Sequence, residues 1–167
     1  MIDLPKRKDL RLRDWNYSTP GAYFITICTQ EKRCILSEIL PVGAGVLDRP
    51  NLKLTEMGKQ VEEILLEMNK KTSGIDVNQY VIMPNHVHFL LTVTNDGASR
   101  TPPPTGANAE IPRFVSTFKR FTNRACGQSL WQRSYHDHVI RNEQDYSDIA
   151  EYIENNPAKW SEDCYAK

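Results

Sequence analysis

The chain has no cysteine pair spaced for a metal or a redox couple: Cys28, Cys34, Cys126 and Cys164 are scattered, and none forms a CxxC. Free thiols in a reducing compartment are the expected state, with Cys28 a core residue inside an apolar run. Long apolar runs are missing too. Nothing approaches the roughly 18 residues of a membrane span. The opening MIDLPKRKDLRLRDW follows its charges with no apolar stretch, so it does not read as a secretory signal. The cytoplasm, at the nucleoid, is the expected location.

Net charge is absent as well, since 21 Lys and Arg balance 21 Asp and Glu. That excludes a globally basic polyanion binder but not a local one. Residues 1–13 carry Lys6, Arg7, Lys8, Arg11 and Arg13 against Asp3 and Asp9. Residues 110–141 carry Arg113, Lys119, Arg120, Arg124, Arg133 and Arg141 against Glu110 and Asp137. From Asn142 onward seven carboxylates face two lysines. Two basic segments permit a polyanion-binding face; solvated charge on helix surfaces is the alternative. At 167 residues, 40% apolar and 25% charged, the chain reads as one globular domain with a proper core.

The expected elements follow from pattern. AYFITICT (22–29), rich in β-branched and aromatic residues, reads as a buried strand, and CILSEI (34–39) as its return strand after a polar turn. PVGAGVLDRPN is loop. Leu54, Met57, Val61, Ile64, Leu65 and Met68 follow helical spacing, with Thr55 near the start and Lys70–Gly74 at the end. Strands over Val77–Met83 and His86–Val93, joined by a tight Pro84-Asn85 turn, form a hairpin at the centre. Residues 94–110, rich in Pro, Gly and small polar residues, read as a flexible surface connection after the basic arm 1–15 and the first elements. A helix from Ile111 to about Ala125 presents Phe114, Val115, Phe118 and Phe121. Leu130 to Arg141 is extended. Asn142, with Asp145 three residues on, caps a last helix that Pro157 stops near Asn156. The order β-β-α-β-β-α-β-α implies an α+β fold, an antiparallel sheet with helices packed on one face.

Only four histidines are present, and two of them stand one residue apart in MPNHVHFLL, Met83 to Leu91. Alternate strand residues point the same way, so His86 and His88 share a face about 6.6 Å apart at Cα, while Val87, Phe89 and Leu91 face the core. Two imidazoles at that separation can converge on one cation, or can be solvated on a half-exposed face. The last helix offers partners: Tyr152 and Asn156, four apart, share one stripe. Asn156 precedes proline, which biases its backbone away from helical geometry and leaves its carboxamide free to aim. A packing tyrosine and a helix cap are the plainer roles for that pair. If helix and strand meet, two imidazoles and a carboxamide oxygen make a neutral ligand set. It would hold Mg²⁺ or Mn²⁺ with positions open for phosphate oxygens, and a tyrosine one turn away could attack that phosphate.

HVH in MPNHVHFLL, with TPGAYFITICT before it and LWQRSYHDHVIRNEQDYSDIAEYIENNP after it, resembles the HUH motif (histidine, hydrophobic residue, histidine) and its setting in single-tyrosine transposases of the IS200-like superfamily. The ending YIENNP resembles the family's nucleophilic tyrosine followed four residues later by an amide ligand. The resemblance implies Tyr152 as nucleophile and His86, His88 and Asn156 as ligands of Mg²⁺ or Mn²⁺. Asparagine, where insertion-sequence members commonly have glutamine, looks like the REP-associated tyrosine transposases. Further implications are a ferredoxin-like sheet with the histidines on a central strand, and a single-stranded, hairpin-containing DNA substrate. A monomer or homodimer, a covalent phosphotyrosine intermediate and no membrane partner are also implied. Arg11, Arg13, Arg113, Lys119, Arg120, Arg124 and Arg133 are the expected DNA contacts. Trp15, Tyr17, Phe114 and Trp131 read as core residues, with base stacking the alternative role.

Three other readings compete. A histidine-triad hydrolase would need a third histidine at position 90, where Leu90 stands. A catalytically inactive hairpin- or sequence-specific binding protein on the same fold is the alternative function. A zinc site built from both HxH pairs would require His136 and His138 to join the first pair.

Overall fold

The computed structural model describes residues 16–40, 52–94 and 109–162. The basic arm with Arg11, Arg13 and Trp15, the 41–51 loop and residues 95–108 of the Pro-rich connection lie outside the described residues. In chain order the elements are β1 (Gly21–Cys28), β2 (Ser37–Ile39), β3 (Leu52–Leu54), α1 (Glu56–Lys71), β4 (Ile75–Ile82), β5 (His86–Val93), α2 (Glu110–Ala125), β6 (His136–Ile140) and α3 (Glu143–Asn155). Short 3-10 helices cover Gln30–Lys32 and Asn156–Glu162.

β4, β5, β1 and β6 lie side by side in that order, all neighbours antiparallel. With α1 and α2 as crossovers this is the ferredoxin-like β-α-β-β-α-β arrangement that was expected. Period-two alternation sorts β1 and β5 onto two faces. Tyr23, Ile25 and Ile27 stand opposite Leu91, Phe89 and Val87, and all six are fully buried. α1 and α2 cover this face. α1 contributes Val61, Leu65 and Met68, and α2 sets Phe118 edge-on to Phe89 at 5.1 Å, with Phe114 beside it. α3 crosses the other face, where Gln79 Nε2 of β4 donates to Ala150 O at 3.2 Å.

Three expectations need correction. The 34–39 segment does not return along β1, because β5 and β6 already occupy both of that strand's edges. Its last residues, β2, pair instead with β3 in a separate two-stranded ribbon. The hairpin β4–β5 is not itself central, since β4 is an edge strand and β1 shares the centre with β5. Leu130–Arg141 is not continuously extended: Trp131 makes one isolated bridge to Thr29, and regular pairing resumes only at His136.

The ribbon is clamped to α1. Thr55 caps the helix by accepting from Gly58 N at 3.0 Å, while its hydroxyl donates to Ile35 O at 2.7 Å. Gly58 comes so close that a Cβ there would meet Leu36 O at 1.9 Å, a backbone atom that cannot swing aside. Gly58→Ala is therefore expected to destabilise by about 2 kcal/mol or more through forced backbone displacement, although alanine favours helix. Urea unfolding of both proteins measures this.

Candidate active site

The turn before β5 is held rigidly. Met83 N donates to His86 O at 2.9 Å, Ile35 N and Leu36 N both donate to Pro84 O, and Thr29 N donates to Asn85 O at 2.8 Å. Asn85 Nδ2 donates to Lys32 O at 3.3 Å, which turns its Oδ1 toward His86 Nδ1, 2.8 Å away. An amide oxygen only accepts, so His86 carries its proton on Nδ1 and presents the Nε2 lone pair inward. His88 stands opposite Thr26 of β1, and its Nδ1 lies 2.8 Å from Thr26 Oγ1. The two Nε2 atoms meet at 3.0 Å. Burial first, and then the neighbouring His86 imidazole, hold His88 well below the usual imidazole range. The His88 ring is thus suited to stay neutral, the state a ligand requires.

The histidines do face away from the Val87 core, but they are not half-exposed. Both are fully buried, because α3 and the 3-10 helix after it lie over them. Tyr152 sets its ring at 5.4 Å from His88 and 6.0 Å from Phe24. Trp160 stacks on His86 at 6.0 Å. Asn156 follows Tyr152 by one helical turn and is 1% exposed, with an Oδ1 that accepts no hydrogen bond. Its backbone departs from the expectation. With φ −56 and ψ −43 it is helical despite preceding Pro157, because α3 and the following 3-10 helix share it. Pro157 ends the α-helix without ending the helical path, since a first-turn proline needs no N–H partner.

Tyr152 is therefore brought to the histidine pair within one chain, and buried Asn156 follows it one helical turn later. Two imidazoles and an orphaned carboxamide oxygen are donor types that suit a divalent cation, and Asn85 and Thr26 back the two rings as outer partners. Tyr152 remains 38% exposed.

The other chosen residues do not gather there. Arg113, Arg120 and Arg124 are exposed on α2, on the opposite side of the sheet, with Arg113 paired to Glu110 at 3.1 Å and Arg120 over the Phe121 ring. Lys119 holds the 132–134 segment, donating to Gln132 O at 2.8 Å, Ser134 O at 2.9 Å and Arg133 O at 3.3 Å, so it is committed to the fold. Arg133 is exposed on that same segment, beside the Cys28 end of β1, where Gln132 N donates to Cys28 O. Of the stacking candidates, Tyr17, Phe114 and Trp131 are core residues, and Trp131 Nε1 donates to Thr122 Oγ1 at 2.7 Å. His136 and His138 lie on the histidine face but exposed on an edge strand, His138 Nε2 donating to Asp145 at 2.9 Å. That bond, above all, holds the Asp145 carboxyl below its usual range. Four site residues escaped sequence reasoning: Phe24, Thr26, Asn85 and Trp160. Trp160 stands in the 3-10 helix after α3 and Thr26 depends on strand register, so neither carries a local signal.

A buried histidine pair thus lies on an inner strand of the sheet, under a tyrosine-bearing helix. The family model described as Transposase IS200 like matches residues 47–156. The chain belongs to that family. It is 31% identical over 172 residues to an uncharacterised protein of Haemophilus influenzae, covering 94% of this chain and 91% of that one. It is 28% identical over 144 residues to the REP-associated tyrosine transposase of Escherichia coli, covering 86% of this chain and 70% of that one. The fold is similar to a solved REP-associated tyrosine transposase bound to a REP hairpin. That match has a TM-score of 0.62 at 22% identity and covers 89% of this chain and 73% of that one. Among the described residues no helix is long and apolar enough to cross a membrane.

Asn156 breaks no side-chain oxygen hydrogen bond when removed, so Asn156→Ala is expected to change the metal-free protein's stability by no more than about 1 kcal/mol. Ile153→Ala, one helical step away and also buried, should cost about 2–4 kcal/mol. Chemical unfolding in the presence of a chelator compares the two. A large loss at Asn156 would make it a structural cap instead.

Proposed function

We propose that the chain is a metal-dependent single-stranded DNA endonuclease and strand transferase acting at hairpin-containing DNA. The observation that carries this reading is the exposed Tyr152 beside His88, on the same helical stripe as the orphaned Asn156 oxygen. The REP hairpin bound by the solved relative supports the choice of DNA.

In this reading His86, His88 and Asn156 hold Mg²⁺ or Mn²⁺. The ion, when bound, supplies Lewis-acid polarisation of a phosphoryl oxygen, undiminished by a neutral ligand set. Tyr152 Oη gives up its proton, whose unperturbed pKa is about 10, and bonds to phosphorus. The bond from phosphorus to the departing sugar oxygen breaks, and that oxygen takes up a proton. One DNA end is left as a phosphotyrosine and the other as a hydroxyl; attack by a second hydroxyl end reverses the step and joins strands. α3 keeps Tyr152 over the histidines of its own chain, so the site needs no second subunit. Arg133, with Arg11 and Arg13, is assigned to phosphates of the cut strand. Arg113, Arg120 and Arg124 reach only DNA that continues past the sheet edge.

Incubated with a labelled single-stranded hairpin oligonucleotide from its own flanking DNA and Mn²⁺, the protein should form a covalent adduct that Tyr152→Phe abolishes entirely. Denaturing gel electrophoresis reads it. An adduct surviving in the variant would move the nucleophile, and binding with no adduct would favour the inactive binding protein. Metal occupancy is checked separately. Co²⁺ is expected to quench tryptophan emission through Trp160, whose ring stacks on His86, and Trp160→Phe should remove that quench.

A further inference from the structure

The hydrogen bonds around the two imidazoles assign a proton to each nitrogen, and the assignments differ between the rings. Asn85 Oδ1 fixes His86 as the Nδ1–H form, because Asn85 Nδ2 is committed to Lys32 O. His86 Nε2 is then an acceptor, so in the 3.0 Å contact between the rings the proton belongs to His88 Nε2. His88 Nδ1 is left bare and accepts from the Thr26 hydroxyl at 2.8 Å. In this state one ring offers a lone pair to the space between them and the other does not.

We propose that Asn85 and Thr26 are positioning residues with distinct tasks. Asn85 is a fixed lock that keeps His86 Nε2 ready to ligate. Thr26 is a reversible partner that lets His88 change tautomer. For His88 to ligate through Nε2, its proton must move to Nδ1, with no net gain or loss of protons by the ring. A hydroxyl both donates and accepts, so Thr26 Oγ1 serves each form; an amide oxygen or an aliphatic side chain could not. The inference rests on the metal reading above for its second half only. Thr26 is 2% exposed and lies opposite His88 in the β1–β5 register, so the hydroxyl has no freedom to leave.

Long-range ¹H–¹⁵N spectra of ¹⁵N-histidine-labelled full-length protein test both halves. Without metal, His86 is expected to be protonated at Nδ1 and His88 at Nε2; with Mg²⁺ the His88 proton moves to Nδ1. Thr26→Val, nearly isosteric, should weaken Mg²⁺ binding by about 10–100-fold, and Thr26→Ser should restore it to near wild type. Thermal melting confirms that both variants fold. His86 protonated at Nε2 in the metal-free protein, or Thr26→Val binding Mg²⁺ as tightly as wild type, would overturn the proposal. Metal-free tautomers as stated, with imidazole resonances unmoved by Mg²⁺, would sink the metal reading and Thr26's second task while leaving the Asn85 lock in place.

Discussion

The structure depends on one pairing, β1 against β5 with Thr26 opposite His88. Because side chains alternate, this register decides at once what the core contains and what the site contains. Val87, Phe89 and Leu91 meet Ile27, Ile25 and Tyr23 on one face, and His86 and His88 meet Cys28 and Thr26 on the other. A slip by one residue would turn β1's isoleucines toward the imidazoles and its threonine toward Phe89. The apolar face resists that slip strongly, since six fully buried side chains and the phenylalanines of α2 would lose their places. Hydrophobic burial on one side thereby fixes polar geometry on the other.

The histidine face buries polar groups at a cost. Two imidazoles and a carboxamide lie out of water, and an unsatisfied buried acceptor costs about 1–3 kcal/mol. α3 stays over them because Ile153 is buried beside Tyr152, the Asn142 side chain caps the first turn, and Gln79 ties the helix to β4. One carboxamide oxygen left without a partner, among imidazoles that are hydrogen-bonded, is what a site awaiting a ligand should look like.

What was legible in the sequence was local. The period of two in HVHFLL, the helical spacing from Leu54 to Met68 and the cap at Asn142 each express a backbone preference over a few residues, and each is found. The pairing of Tyr152 with Asn156 was legible for the same reason. What was not legible required knowing neighbours far along the chain. β2 looks like a return strand until β1 is seen to have no free edge. Lys119 looks like a phosphate contact until three carbonyls are found around it. The arginines of α2 look well placed until the sheet stands between them and the histidines. Asn156 shows the limit of a local rule. The steric bias before proline is real, yet two helical stretches meeting at one residue override it.

The second HxH shows why the motif alone does not make a site. His136 and His138 alternate on β6 and face the same way as His86 and His88, with His136 opposite Thr26 across β1. Thr26 therefore separates His136 from His88 in a row of three strands, roughly 10 Å end to end at normal strand spacing. β6 is an edge strand, and both of its histidines are exposed. His138 turns to Asp145 and steadies the start of α3, a structural use of the same residue type. Identical spacing thus gives a shared, buried, outer-partnered pair on β5 and two separate surface residues on β6. The difference comes from strand order, which places one pair under the tyrosine helix and the other at the rim.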